Sequence, residues 1–229
     1  MKWALVDGRR SQAQPGLTAT CPGCGGEVLA KCGELVQWHW AHRNSECDPW
    51  SEPESAWHLN WKNRFPAEWQ ERVIGDHRAD VLTPKGVIEF QKSTISTKTI
   101  CEREQFYGRM VWVVDASGFN LERSSRLHWK NFMRDDPFYR KEHSLSFLDA
   151  ICEHRRYMEL HQAAVDEAWN AEPHFRWLWP RKSWLAAKKT VFLDRGYDDL
   201  LQVKWTGRAG GYLICKRIMK DQFVACVSR

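Results

Sequence analysis

No stretch of this sequence approaches the roughly 18 consecutive apolar residues of a membrane-spanning helix, so no membrane partner is expected. Nor does the start resemble a secretory signal, because Met1-Lys2-Trp3-Ala4-Leu5-Val6 runs directly into Asp7 and two arginines. A soluble, cytoplasmic protein is the expectation. There is no internal repeat and no low-complexity tract, which argues against a solenoid or a long disordered linker. A disulfide framework is missing too. Of eight cysteines only Cys21, Cys24, Cys32 and Cys47 cluster, while Cys101, Cys152, Cys215 and Cys226 are scattered, a pattern that favours a metal over disulfides.

What is present is enough for a sizeable core: 229 residues, 43% of them apolar, suit one domain with appendages. The net charge of +5 is unevenly spread. From Arg176 to Arg229 there are 12 Lys and Arg against 4 Asp and Glu, leaving 22 against 25 in the preceding residues. Such a basic tail suits a segment lying near a polyanion, with a solvated basic face as the plainer reading. Fourteen tryptophans are the second oddity, several of them beside His, Lys or Arg, as in Trp38, Trp40, Trp57, Trp61 and the Trp177-Leu-Trp-Pro-Arg-Lys-Ser-Trp184 segment. Most suit a core, and a minority suit stacking on unpaired bases.

Along the chain, residues 1–19 read as a short strand followed by a loop. Val28-Leu29-Ala30 and Leu35-Val36-Gln37-Trp38 read as the strands of a hairpin among glycine turns. From Glu54 to about Arg64 the pattern is helical, stopping before Pro66, with Ser51 or Ser55 as its cap. Residues 68–91 read as strands with turns at Gly75-Asp76 and Pro84-Lys85-Gly86. Thr97 to Arg109 is helix-like, and Met110 to Val114 is an apolar strand. A meander followed by a helical crossover describes an α/β core with a mixed sheet. Leu145 to Ala168 reads as helix, and the Asp194 to Val227 region, with the apolar runs Val191–Leu193, Leu200–Val203 and Tyr212–Cys215, reads as a small β unit.

Three constellations carry chemistry. Cys21-Pro-Gly-Cys24, His39-Trp-Ala-His42 and Cys47 have the residue types and spacing of a tetrahedral, structural zinc site. Cys21 and Cys24 form the first pair, and His39, His42, Cys47 and Cys32 compete for the other two positions. Glu54, His58 and Lys62 are spaced by four, along one helix face, where the plainer reading is a surface charge ladder. Finally, Asp80 lies in one expected strand, and Glu89 and Gln91 share one face of the next, with Ile88 and Phe90 on the other. Two carboxylates one cross-strand spacing apart repel unless a cation lies between them, and a hard, oxygen-preferring ion such as Mg²⁺ (or Mn²⁺) answers that need. Such an ion also activates water for phosphodiester hydrolysis.

In order, Cys-Pro-x-Cys, His-Trp-Ala-His, Glu54-Ser55 with His58 and Lys62, Arg78-Ala-Asp80-Val and Ile88-Glu89-Phe90-Gln91-x-Ser93 resemble the competence protein CoiA-like family, a branch of the PD-(D/E)XK nuclease superfamily. The similarity continues through Glu102-Arg103 and Tyr107 into Val111-Trp112-Val113-Val114. It implies a restriction-endonuclease-like mixed sheet flanked by helices, with an N-terminal strand and zinc ribbon over 1–50, a nuclease core over 51–120 and a helical plus small β extension over 121–229. By that resemblance Asp80 and Glu89 are the Mg²⁺ ligands, Glu54 is the helix acid, and Gln91 stands where the superfamily more often has lysine. A glutamine carries no charge, so the cation must come from elsewhere: Lys62 first, Lys92 second. His58 or Lys62 is placed to touch the scissile phosphate. Arg103, Tyr107 and Lys92 are the candidate DNA contacts, with helix packing as the other reading for Arg103 and Tyr107.

The expected function is therefore a Mg²⁺-dependent deoxyribonuclease acting in DNA uptake, recombination, mobile-element processing or defence. The alternative is a zinc-stabilised nucleic-acid-binding protein with an inactive nuclease core. DNA, single- or double-stranded, is the expected partner, with recombination or transformation proteins beside it and a homodimer if both strands are cut.

Overall fold

The computed structural model describes residues 1–34, 37–43, 47–123, 174–206 and 212–229. They form two compact units, one of Met1–Thr94, Phe106–Val113 and Asp221–Arg229, the other of Ile95–Gln105 and Val114–Lys220.

The first unit opens with an antiparallel sheet in the order β2-β1-β3-β4-β5, built from β1 (Trp3–Val6), β2 (Arg9–Gln12), β3 (Thr18–Thr20), β4 (Glu27–Lys31) and β5 (His39–His42). Where a loop was expected after β1, Asp7 and Gly8 turn the chain with φ of 48° and 73°. Two left-handed residues in a two-residue turn match the twist of the strands they join. β2 itself, Arg-Arg-Ser-Gln, offers no apolar alternation by which to find it. The ribbon's returning strand is also displaced, from 35–38 to His39–His42, with Leu35 and Val36 outside the described residues. Burial explains the shift: Trp40 is fully buried with Ala4, Ala19, Cys21 and Val28, whereas Trp38 is 48% exposed.

Next comes helix α1 (Ala56–Lys62), capped by Ser55, whose hydroxyl accepts the His58 amide at 3.3 Å. It ends before Pro66, a residue whose ring disfavours helical backbone in the one before it. A 3-10 turn at Ala67–Trp69 leads into β6 (Gln70–Ile74), β7 (His77–Thr83) and β8 (Gly86–Gln91). Helix α2 (Thr97–Tyr107), most of which belongs to the second unit, connects β8 to β9 (Met110–Asp115), and the strand order is β9-β8-β7-β6. The expected meander and helical crossover are both present. Phe90 on β8 is the packing centre: Trp61 stacks on it at 5.6 Å, and Trp57 meets it edge-on at 6.1 Å. The C-terminal helix α3 (Lys220–Val227) returns to this unit, with Phe223 edge-on to Trp61 at 6.0 Å and Asp221 paired to Arg64 at 3.0 Å. A division of the sequence into consecutive segments does not represent that return.

The second unit is an antiparallel sheet in the order β10-β11-β14-β13-β12, from β10 (Leu121–Arg123), β11 (His174–Trp177), β12 (Val191–Asp194), β13 (Asp199–Thr206) and β14 (Tyr212–Met219). The expected small β unit is thus present, with longer strands, but it ends at Met219, and Lys220–Val227, expected within it, is helix α3. The helix expected over Leu145 to Ala168 lies outside the described residues. Within this unit Glu104 of α2 accepts the amides of Lys188 at 2.8 Å and Lys189 at 3.0 Å.

Candidate active site and metal cluster

The β7–β8 ladder pairs Thr83 with Gly86, Leu82 with Val87 and Val81 with Ile88. Continuing that register brings Asp80 opposite Glu89, on one face of the sheet. Here side chains take over from the backbone. The Asp80 amide donates to Glu89 Oε1 at 3.2 Å, and the Phe90 amide donates to Asp80 Oδ2 at 2.9 Å. Each acid is thus held by a backbone amide of the other's strand, where the ladder ends. Gln91 follows two residues later on Glu89's face, buried, with its Oε1 lacking a hydrogen-bond partner among the described residues.

Lys62 lies beside this pair. Its Nζ is 3.2 Å from Asp80 Oδ1, 3.1 Å from Glu54 Oε2 and 2.8 Å from Glu71 Oε1. Burial alone disfavours the ammonium, yet Glu71, Asp80 and Glu54 outweigh it and raise the lysine's pKa. Glu54 moves in the opposite sense for an acid: burial raises its pKa against the pull of Lys62, and Glu71 and Asp80 add like-charge repulsion. Glu54 precedes the cap of α1 rather than standing on the helix, but it reaches Lys62 nonetheless. Glu71 was not foreseen from the sequence. It sits at φ 47° and turns its carboxylate inward, where it also accepts the Lys2 and Trp3 amides at 2.8 and 2.9 Å.

His58 belongs to a different group. Its Nε2 lies 3.2 Å from both Glu52 Oε2 and the Phe90 carbonyl, and its Nδ1 is 2.8 Å from Ser55 Oγ. Both ring nitrogens thus have partners within the protein, and His58 braces the loop before α1 against β8 while Lys62 faces Asp80. The reason is local: helical spacing puts His58 and Lys62 on one face, but adjacent turns of the helix serve different carboxylates. Glu52 itself, also unforeseen, accepts from the Lys92 and Ser93 amides at 3.1 Å, and from Gln91 Nε2 and Ser93 Oγ. Burial opposes its ionisation, but the hydrogen bonds from His58, Ser93 and Lys92 prevail and lower its pKa to about 2.

Of the candidate DNA contacts, Lys92 is exposed, its ammonium 5.9 Å from the Trp57 ring. Tyr107 is partly buried, edge-on to Trp50 and Phe106. Arg103 is buried, which fits the packing reading rather than a surface contact. In the Trp-rich segment, Trp177 and Trp184 are core residues, while Trp179 is 80% exposed.

The Cys/His cluster is formed by Cys21, Cys24, His42 and Cys47, whose ligand atoms all lie within 4.8 Å of one another. Cys21 Sγ and Cys47 Sγ are 3.8 Å apart, and Cys24 Sγ is 3.3 Å from His42 Nε2. A tetrahedron with metal–sulfur bonds of about 2.3 Å has edges close to these spacings, so the donor set is compatible with a structural zinc. Backbone amides prepare the sulfurs: Gly23 donates to Cys21 at 3.4 Å and Gly26 to Cys24 at 3.3 Å. The Gly26 amide leads in lowering the Cys24 pKa to about 7, while burial leads in raising that of Cys47 to about 12. His39 and Cys32 stand outside the cluster. His39 and His42 are three apart on a strand, so they face opposite ways, and His39 Nδ1 bonds the Gln37 carbonyl at 2.7 Å. Directly after Cys47, Asp48 accepts His77 Nδ1 at 2.9 Å and the Arg78 amide at 2.8 Å, tying the cluster to the strand that carries Asp80.

Two family models match the chain: "Competence protein CoiA, N-terminal domain" over residues 14–49 and "Competence protein CoiA, nuclease-like domain" over residues 68–168. Together they cover more than half of it. No curated protein and no solved structure matches. The first stretch holds the four cluster ligands, and the second holds Asp80, Glu89 and Gln91. Glu52, Glu54, His58 and Lys62 fall between the two, and the fold brings them to the same strands.

Proposed function

Because the chain belongs to the competence protein CoiA-like family, we propose that it is a divalent-metal-dependent nuclease hydrolysing DNA phosphodiester bonds, as the PD-(D/E)XK superfamily placement suggests. The observation that carries this reading is the cross-strand pairing of Asp80 and Glu89 at the end of the β7–β8 ladder, each bonded to a backbone amide of the other's strand. With the Gln91 oxygen, which has no hydrogen-bond partner among the described residues, they form an all-oxygen donor set, which suits Mg²⁺ or Mn²⁺. Bound there, the ion supplies Lewis acidity and a water of lowered pKa.

The remaining work falls to the chain. Asp80 and Glu89 hold the ion, and Gln91 accepts a hydrogen bond from the attacking water or ligates directly. Lys62 is the cation nearest the pair and replaces the superfamily lysine as counter-charge, while Lys92 offers an exposed positive charge to the DNA backbone. The Cys21, Cys24, His42 and Cys47 cluster holds a structural zinc.

A second reading, a nucleic-acid-binding protein that does not cut, is favoured by one feature. Lys62 is already surrounded by three carboxylates, which neutralise the charge a phosphate would need. The two readings part in one experiment. Single-stranded, duplex and branched DNA and RNA are incubated with the full chain and Mg²⁺ or Mn²⁺, beside Asp80→Ala and Glu89→Ala. Metal-dependent cleavage of DNA by the wild type, lost in both variants, is the expected result. Binding without cleavage establishes the second reading, and cleavage that survives either substitution refutes the site.

A further inference from the structure

Glu52 lies in the loop before α1, outside both matched stretches, yet one carboxylate gathers donors from His58, Gln91, Lys92 and Ser93. Two of these, Lys92 and Ser93, are the first residues after β8, so Glu52 fixes the chain as it leaves the strand. The others are the side chains of Gln91, on the strand face it shares with Glu89, and of His58, which also reaches the Phe90 carbonyl.

The consequence for Gln91 is specific. A side-chain amide has an electropositive end and an electronegative end of almost equal size, and packing alone scarcely distinguishes them. Here Nε2 faces Glu52 and also reaches the Ser93 carbonyl and Ser93 Oγ, each at 3.3 Å. Its acceptors leave Oε1 buried with no hydrogen-bond partner among the described residues, on the strand face it shares with Glu89. The reverse orientation would set an NH₂ group toward a divalent cation and a carbonyl oxygen against the Glu52 carboxylate, unfavourable at both ends.

We infer that Glu52 is a positioning residue of the proposed metal site, holding the Gln91 amide with its nitrogen turned away so that its oxygen is presented to the ion or its water. This rests on the nuclease reading for its catalytic consequence, though not for the Glu52–Gln91 link. Glu52 also fixes the ring of His58, whose Nε2 it shares with the Phe90 carbonyl. The strong depression of its pKa agrees with a carboxylate that stays charged throughout.

The link is read first without metal or substrate. In ¹⁵N-labelled full-length chain, the Gln91 side-chain NH₂ signals, identified by their loss in Gln91→Met, exchange slowly with solvent. In Glu52→Gln and Glu52→Ala they exchange at least about tenfold faster, as expected for loss of a charge-assisted hydrogen bond. Glu52→Gln keeps the shape and guards against a variant that simply unfolds, which thermal melts of each protein verify. Unchanged exchange in a folded Glu52→Gln overturns the inference. The second readout is Mn²⁺-dependent cleavage. Glu52→Gln lowers kcat about 10- to 100-fold with KM nearly unchanged, and the double variant with Gln91→Met loses no more than the worse single one. Additive losses, or wild-type cleavage by Glu52→Gln, also overturn it. If the wild type never cuts, the nuclease reading fails by itself, and the exchange measurement alone decides the Glu52–Gln91 link.

Discussion

Lys62 Nζ and Glu71 Oε1 lie 2.8 Å apart with both side chains buried, a salt bridge enclosed in the protein interior. Glu71 is held at φ 47°, a conformation uncommon outside glycine, so the surrounding contacts must outweigh its backbone strain. Breaking such a pair leaves a buried charge short of compensation. Glu71→Ala is expected to destabilise the protein by about 3 kcal/mol, measured by urea denaturation. A loss below about 1 kcal/mol would mean that Glu54 and Asp80 suffice for Lys62.

Glu52 gives the fold an acid limit. An ordinary glutamate titrates at about 4.5, and Glu52 titrates at about 2. Between those values the unfolded chain binds the proton and the folded chain does not, so stability rises with pH there. Its contribution is complete above 4.5 and is lost as pH falls toward 2. Glu71, lowered in the same direction, adds to this loss. Urea melts between pH 2 and 6, an interval set about these two values, should show a flatter pH dependence for Glu52→Gln than for the wild type. Equal slopes would show that Glu52 does not draw on its hydrogen bonds for stability.

For the cluster, the wild type is expected to hold about one zinc per chain, as a tetrahedral site takes a single ion. Cys24→Ser and His42→Ala should each lose zinc and melt at lower temperature, because metal binding and folding are linked. His39→Ala should keep it. Metal analysis of the purified proteins separates the two histidines, and equal loss in both His variants would contradict the strand geometry.

These residues show what a sequence discloses. Asp80, Glu89 and Gln91 were legible because strand alternation depends only on local order, and acids at inward positions break the expected apolar pattern. Cys21 and Cys24 were legible because a knuckle is defined by spacing within one turn. The choice between His39 and His42 was not, since it depends on where β5 begins, and that is set by Trp40 entering a core shared with Ala4 and Val28. Glu52 and Glu71 were missed for a related reason: one lies in a loop and the other in a left-handed residue, where no periodicity points to a partner far along the chain. The return of α3 to Trp61 is likewise a contact between distant segments that neither one announces.

Two glycines offer a test of how β8 is seated. Gly86 begins that strand at φ 132°, and a Cβ there would collide with the Arg109 carbonyl, which accepts the Val87 amide at 2.8 Å. Gly108 also has positive φ, 64°, but a Cβ would meet nothing within 4 Å. Both alanine variants incur the backbone cost of the left-handed side, about 1 kcal/mol or somewhat more. Only Gly86→Ala must also move β9 away from β8 or shift β8 along it. Gly108→Ala is therefore expected to cost about 1 kcal/mol, and Gly86→Ala at least about 2 kcal/mol more. Since β8 carries Glu89 and Gln91, Gly86→Ala should also weaken Mn²⁺ binding at the site, read by calorimetry on chain still folded at low temperature, whereas Gly108→Ala should not. Equal destabilisation by the two variants would show that the Gly86–Arg109 approach is not what seats the strand.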